Sequence, residues 1–222
     1  MSFKANDSLT EQIAQYLEQR IIEGEMKPSE RIQELKIAAK LEVSRGSVRE
    51  ALLILQRRHL VEIYPRRGAV VASINAHDVK QFFDLWLILL DRVVTNLAQN
   101  WKNEDLARFF ELMTQMGQCQ RNSDMQGFYK VGMEFLRSLY AYSDNRYLTD
   151  TLNDLLPLTQ RCLFAILRAG QSQIARTHQF LESLLKSIIE RDLERLREMV
   201  SEFGENYCRL AQTSAEALEG RT

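Results

Sequence analysis

Apolar residues recur three and four positions apart along most of the chain, and the departures from that rhythm are short. Over residues 8–23, Ile13, Leu17, Ile21 and Ile22 form one stripe behind Ser8-Leu9-Thr10-Glu11, which predicts a first helix with Ser8 as its cap and Glu11 placed to close a capping box. Gly24 and Pro28 stop it. Ile37, Ala38 and Leu41 mark a short second helix from near Gln33, and a third opens at Ser44, whose hydroxyl can accept from a backbone N–H at or next to Ser47. Val48, Ala51, Leu52 and Leu55 give that third helix a single apolar face, and it ends near His59. Residues 60–64 and 69–73 are rich in Val and Ile and flank Pro65-Arg66-Arg67-Gly68, the pattern of two short strands joined by a tight turn.

Beyond residue 74 the helical period takes over. Residues 78–101, 105–118, 125–142, 146–167, 172–191 and 193–217 each carry apolar positions at helical spacing, with breaks at Asn103, Asn122, Asp144, Gly170 and near Asp192. Pro157 falls inside the fourth of these segments and should kink or divide it. Short breaks between long helices predict an antiparallel bundle. The fold class expected is therefore mainly α: a winged helix-turn-helix over residues 1–74, then an all-α antiparallel helical bundle over residues 75–222.

Charge sharpens the first of these domains. The whole chain is close to neutral, at a formal −1, but residues 1–73 hold 12 Lys and Arg against 10 Asp and Glu, leaving 17 against 20 in the remainder. Six arginines fall within residues 44–68, opposed by Glu50 and Glu62 alone. At about 100° per residue, Arg45 and Arg49 flank the apolar stripe of the third helix and point away from the core. Such a helix fits the major groove of double-stranded DNA, with Arg45 and Arg49 in reach of guanine edges and Ser44 and Ser47 in reach of phosphate or base edges. Arg66, Arg67 and Gly68 form a wing tip suited to the adjacent minor groove. A solvated basic helix on an ordinary α+β domain is the alternative for any one arginine; the joint pattern favours DNA.

Composition removes other classes. The longest apolar runs, such as residues 85–90, are far shorter than the roughly 20 residues of a membrane span, and the N-terminus has no secretory pattern, so a cytoplasmic protein with no membrane partner is expected. Cys119, Cys162 and Cys208 are odd in number and form no C-x-x-C pair, which disfavours a disulfide framework or a zinc finger. The three histidines are scattered, and there is no glycine-rich phosphate loop or nucleophile signature. Asp150 and Asp154 could serve acid–base chemistry but read more simply as surface charge. No catalytic residues, and no enzyme, are expected; a helical partner-binding protein remains the other alternative.

"IIEGEMKPSERIQELKIAAKLEVSRGSVREALLILQRRHLVEIYPRRGAVV" resembles the N-terminal domain of the GntR family of bacterial transcription regulators, in an I-x-x-G-x-x-x-P start, a V-S-R-x-x-V-R-E-A-L recognition helix and an L-V-x-x-x-x-x-x-G-A-x-V wing. The resemblance covers residues 9–73. It implies that Arg45 and Arg49 contact bases or phosphates, that Ser44 and Ser47 contact the backbone, and that the wing around Arg66, Arg67 and Gly68 enters the minor groove. The chain departs from the pattern at Leu35, where the family often has a DNA-contacting arginine, and at Ser29 and His59, where it usually has glycine.

The second half resembles the FadR-type helical effector domain, through "FYKVGMEFLRSLYAYSDNRYL" and "LESLLKSIIERDLERLREMVSEF". In many members an aspartate and three histidines in these segments bind a divalent metal that holds a carboxylate effector. Aligned on Asn145 and Asp192, those positions are here Gly132, Leu136, Leu181 and Phe203, and none offers a side-chain donor. His178, one turn before Leu181, is expected to be structural, and neither metal nor cofactor is expected. The residues left either fill the former cavity or line an apolar pocket. Trp86 falls where the family usually places an arginine facing the effector, and Tyr129, Tyr140 and Arg161 are candidate polar anchors. The resemblance implies a homodimer, whose twofold symmetry calls for a palindromic operator, and a small effector; the apolar residues at the site make that effector an apolar or aromatic one.

Overall fold

A computed structural model describes residues 8–219, with side chains to residue 215. The described chain is mainly α, with nine α-helices and one small antiparallel sheet. It divides into two compact units: one runs to Ile74 and takes in Asp154–Arg161, and the other holds Asn75–Asn153 and the chain from Cys162.

The first unit contains α1 (Leu9–Ile22), β1 (Arg31–Ile32), α2 (Glu34–Leu41), α3 (Arg45–Arg57), β2 (Val61–Tyr64) and β3 (Gly68–Val71). Ser8 caps α1 by accepting from the Glu11 N–H at 3.2 Å, and Ser44 caps α3 by accepting from the Ser47 N–H at 3.0 Å. The predicted stripes are buried: Ile13 and Leu17 of α1 meet Val48, Ala51, Leu52 and Leu55 of α3 in one core, closed below by Val61, Ala69 and Val71 of the sheet. Each buried Ile, Leu or Val side chain among them contributes about 1.5–3 kcal/mol on leaving water. An ionic clamp adds direction. Arg58, just past α3, donates to Glu11 at 2.6 Å and to Glu18 at 2.9 Å, both on α1. Burial opposes the charge on Arg58, but its hydrogen bond to Glu11 and the fields of both carboxylates outweigh that and raise its pKa.

The sheet runs β1-β3-β2, with Arg31 opposite Val70 and Tyr64 opposite Gly68. Sequence periodicity anticipates β2 and β3 but not β1, whose two residues are too few to display an alternation. Gly68 lies at φ +83, as a tight turn requires, and Arg66 before it also adopts a left-handed backbone at φ +65. The two positions where glycine is replaced behave alike: Ser29 has φ +63 and His59 has φ +56.

The second unit is all helical: α4 (Ala76–Asn100), α5 (Asn103–Arg121), α6 (Met125–Tyr140), the two ends of α7 (Arg146–Leu167), whose middle stretch Asp154–Arg161 belongs to the first unit, α8 (Gln171–Glu190) and α9 (Leu193–Glu219). A reciprocal capping box starts α4: Asp78 N–H donates to Asn75 at 2.8 Å and Asn75 N–H to Asp78 at 3.4 Å. It moves the helix start two residues ahead of the periodic reading. Pro157 does not divide α7, which runs as one helical element through it. Helix α9 lies close along α4 where Gly204 faces the Leu87 side chain; a Cβ at 204 would collide with it. Among the described residues no helix is long and apolar enough to cross a membrane, and Cys119, Cys162 and Cys208 form no disulfide.

Candidate nucleic-acid interface and apolar cavity

Two sites stand out, one in each unit. In the first, the start of α2, the N-terminal half of α3 and the wing enclose an open groove of about 710 Å³, lined by Arg31, Arg45, Arg49, Arg66, Gln33, Glu34, Leu35, Tyr64 and Gly68 among others. Its geometry follows from the local folding. Burying Val48 and Leu52 against α1 turns Arg45 and Arg49 outward, and the β2–β3 turn carries Arg66 and Gly68 to the far rim. Arg49 is not idle in the groove: its Nε donates to Glu34 Oε2 at 2.8 Å, which fixes the stem and leaves the terminal nitrogens outward. Ser44 and Ser47 face each other at the helix start, their hydroxyls 2.8 Å apart. They and Arg67 lie outside the lining of the groove, Ser44 and Arg67 exposed on its margin.

Arg31, which is not among the residues expected at the interface, also lines the groove. It projects from the outward face of β1, and its guanidinium nitrogens lie 3.9–4.0 Å from where a Cβ of Gly68 would stand. The signal was a cation within the motif, but only the pairing of β1 with β3 brings it to the wing.

In the second unit, side chains from α4 to α9 surround a void of about 60 Å³. Trp86, Tyr129, Gly132, Leu136, Leu181 and Phe203 all line it, so six of the eight residues proposed from sequence converge. The other two do not. Tyr140 sits behind Trp86 and accepts from its indole Nε1 at 2.9 Å, while Arg161 donates to the Ala72 carbonyl at 2.8 Å and is therefore no anchor for a molecule in the void. Thr177, Phe180 and Tyr207 also line it and were missed. Stepping one helical turn from Leu181 and Phe203 reaches Thr177 and Tyr207. Phe180, Phe203 and Tyr207 stack at centroid distances of 3.6 and 3.8 Å to form one aromatic wall. The hydroxyls of Thr177 and Tyr207 are hydrogen-bonded to each other, and burial pushes the Tyr207 pKa up to about 12, so that hydroxyl stays protonated.

The four positions that hold a metal in many related sequences thus meet around one void, and they are glycine, two leucines and phenylalanine. They do not fit a metal. Among the described residues no three His, Cys, Asp or Glu side chains are grouped to hold one. His178 is engaged elsewhere, with Nε2 at 3.5 Å from the Met113 carbonyl and Nδ1 at 3.6 Å from Glu182.

A three-helix unit with a basic wing, followed in the chain by a helical bundle, is the architecture of a bacterial transcription regulator, and the comparisons agree with it. Residues 9–71 match the bacterial regulatory proteins of the gntR family, and residues 81–206 match the FCD domain. The chain belongs to the GntR family, in its FCD-containing branch. Among curated relatives, it is 27% identical to the HTH-type transcriptional regulator McbR of Escherichia coli (67% of each chain) and 25% identical to the gluconate operon transcriptional repressor of Bacillus licheniformis (71% of this chain, 64% of that one). The chain spans about two thirds of the length of the first relatives it matches. The fold of E. coli McbR/YncC superposes with a TM-score of 0.76 at 23% identity over 97% of this chain and 99% of that one. A putative GntR regulator from Rhodococcus sp. RHA1 gives 0.72 at 20% identity, over 97% and 100%.

Proposed function

We propose that this chain is a DNA-binding transcription regulator that docks as a homodimer on a palindromic operator. One observation carries the reading: the groove between α3 and the wing gathers the guanidinium groups of Arg45, Arg49 and Arg66 around a single carboxylate, Glu34. In this reading α3 enters the major groove, where Arg45 and Arg49 read base edges, and Ser44 and Ser47 meet the phosphates flanking it. Arg66, Arg67 and Gly68 reach the neighbouring minor groove. Twofold pairing of two such units calls for an operator of matching symmetry.

The second unit is proposed to hold the effector site. A void of about 60 Å³ is well below the about 300–1,000 Å³ of ordinary ligand pockets, so the ligand is a small, uncharged, apolar or aromatic molecule that widens it by moving side chains. Trp86, Tyr129, Leu136, Leu181 and Phe203 supply apolar contact, and the Thr177–Tyr207 hydroxyl pair supplies the polar mark. A carboxylate would find no cation in the lining. Such a ligand alters DNA affinity only through unequal affinity for two arrangements of the protein, and a coupling of about 1–3 kcal/mol is enough for control.

The test is selection of bound duplexes from a random library by the purified chain, at low salt. Recovery of a palindromic consensus, bound with strong salt dependence and lost in Arg45→Ala and Arg49→Ala, is the expected result. Absence of any duplex binding at low ionic strength overturns it.

A further inference from the structure

We propose that Arg31 is a phosphate-binding residue of the interface, gripping the DNA backbone at the base of the wing; the inference rests on the DNA-binding reading above.

The α2 side of the groove lacks a cation of its own. Helix α2 contributes Glu34, which is negative and already paired with Arg49, and Leu35, which is 60% exposed and carries no charge. Without Arg31 that side would offer a phosphate no cation. Among the described residues no acidic partner holds the Arg31 guanidinium, in contrast to Arg49. Its charge is therefore available to an incoming anion.

The mount is unusually stiff for a residue at a groove rim. Arg31 pairs with Val70 across the β1–β3 ladder, and main-chain bonds on its N-terminal side, Ser29 N–H to the Val71 carbonyl at 2.9 Å and Val71 N–H to the Glu30 carbonyl at 3.0 Å, pin the strand in place. Strand alternation turns Ile32 into the core and Arg31 out. The guanidinium lies beside the turn of the wing, its nitrogens 3.9–4.0 Å from where a Cβ of Gly68 would stand. A planar fork of five donors on a fixed strand loses little freedom when it takes a phosphate. The two-residue strand thus places a cation where α2 offers none.

A phosphate contact weakens binding to all sequences alike and contributes about one to the salt slope. The experiment measures affinity of the full chain for a mixed-sequence duplex across a salt series, for the wild type and for Arg31→Gln, Arg31→Lys and Arg31→Glu. Lys36→Gln serves as a control, an exposed cation on α2 outside the groove. The expected result is a slope lower by about one per protomer in Arg31→Gln, restored in Arg31→Lys, with a still greater loss of affinity in Arg31→Glu and no change in Lys36→Gln. A slope in Arg31→Gln equal to that of a wild type that binds overturns this inference and leaves the DNA reading standing. A wild type that binds no duplex overturns the DNA reading, and this inference with it.

Discussion

The two units place their candidate sites on opposite physical footings. The groove of the first is open and charged: Arg31, Arg45, Arg49 and Arg66 face solvent around one carboxylate. The void of the second is small and almost wholly apolar, with Gly132, Leu136, Leu181 and Phe203 where related chains have metal donors. The first site must act through long-range attraction, which salt screens; the second must act through shape and exclusion of water, which salt hardly touches. Each is therefore broken by a different kind of change.

The largest effect belongs to the groove. Arg45→Ala or Arg49→Ala should each weaken binding to the selected operator by about 10- to 100-fold and relax discrimination at the base it meets, with the melting temperature nearly unchanged. Titration by fluorescence anisotropy, paired with a thermal melt, measures both. A large loss of stability in either variant would show that these arginines hold the fold rather than the ligand, and the contrast between the units would fail.

Next comes the hydroxyl pair of the void. Tyr207 titrates near 12 in the folded chain against an ordinary 10, so its contribution is fully present below pH 10 and is lost as pH rises towards 12. The unfolded chain releases that proton first, and stability should fall by roughly 2–3 kcal/mol across the window from this group. Urea unfolding of the wild type and Tyr207→Phe from pH 9 to 12 tests it: the mutant should lose less stability over that range. Equal slopes would mean that Tyr207 is hydrated and the void open to water.

Two smaller effects sharpen the contrast. In Gly132→Ala the added Cβ would sit 3.6 Å from Met116 Cε, an ordinary contact in the middle of α6. Stability should rise by about 1 kcal/mol by helix propensity alone, while the void shrinks and any apolar effector binds less well. His59→Gly relieves a left-handed backbone at φ +56 and should add about 0.5 kcal/mol to the first unit without touching either site. Thermal melts resolve the signs of both.

How much of this was legible beforehand follows the same division. The arrangement of α1, α2, α3 and the wing could be read closely, because Val48, Ala51, Leu52 and Leu55 repeat at helical spacing and a tight turn requires Gly68. Arg45, Arg49 and Arg66 were legible as groove residues because six arginines crowd residues 44–68 against two carboxylates; any one of them alone reads as solvated surface charge. Arg31 was not, because its place in the groove depends on a strand of two residues whose pairing is set by contacts far along the chain. The void shows the converse. Leu136, Leu181 and Phe203 look like any core residues, and only alignment to a family pattern marked them. Arg161 looked like a polar anchor, but its reach is set by tertiary packing, which gives its guanidinium to the Ala72 carbonyl. Pro157 fell inside a helical pattern strong enough to continue through it.

Gly204 follows Phe203 on α9, and Leu87 follows Trp86 on α4, so the collision that awaits any Cβ at 204 sits beside two walls of the void. That seam is therefore tuned by a missing methyl group: in Gly204→Ala either the Leu87 side chain shifts or α4 and α9 separate, and a separation would carry Trp86 and Phe203 with it and reshape the void.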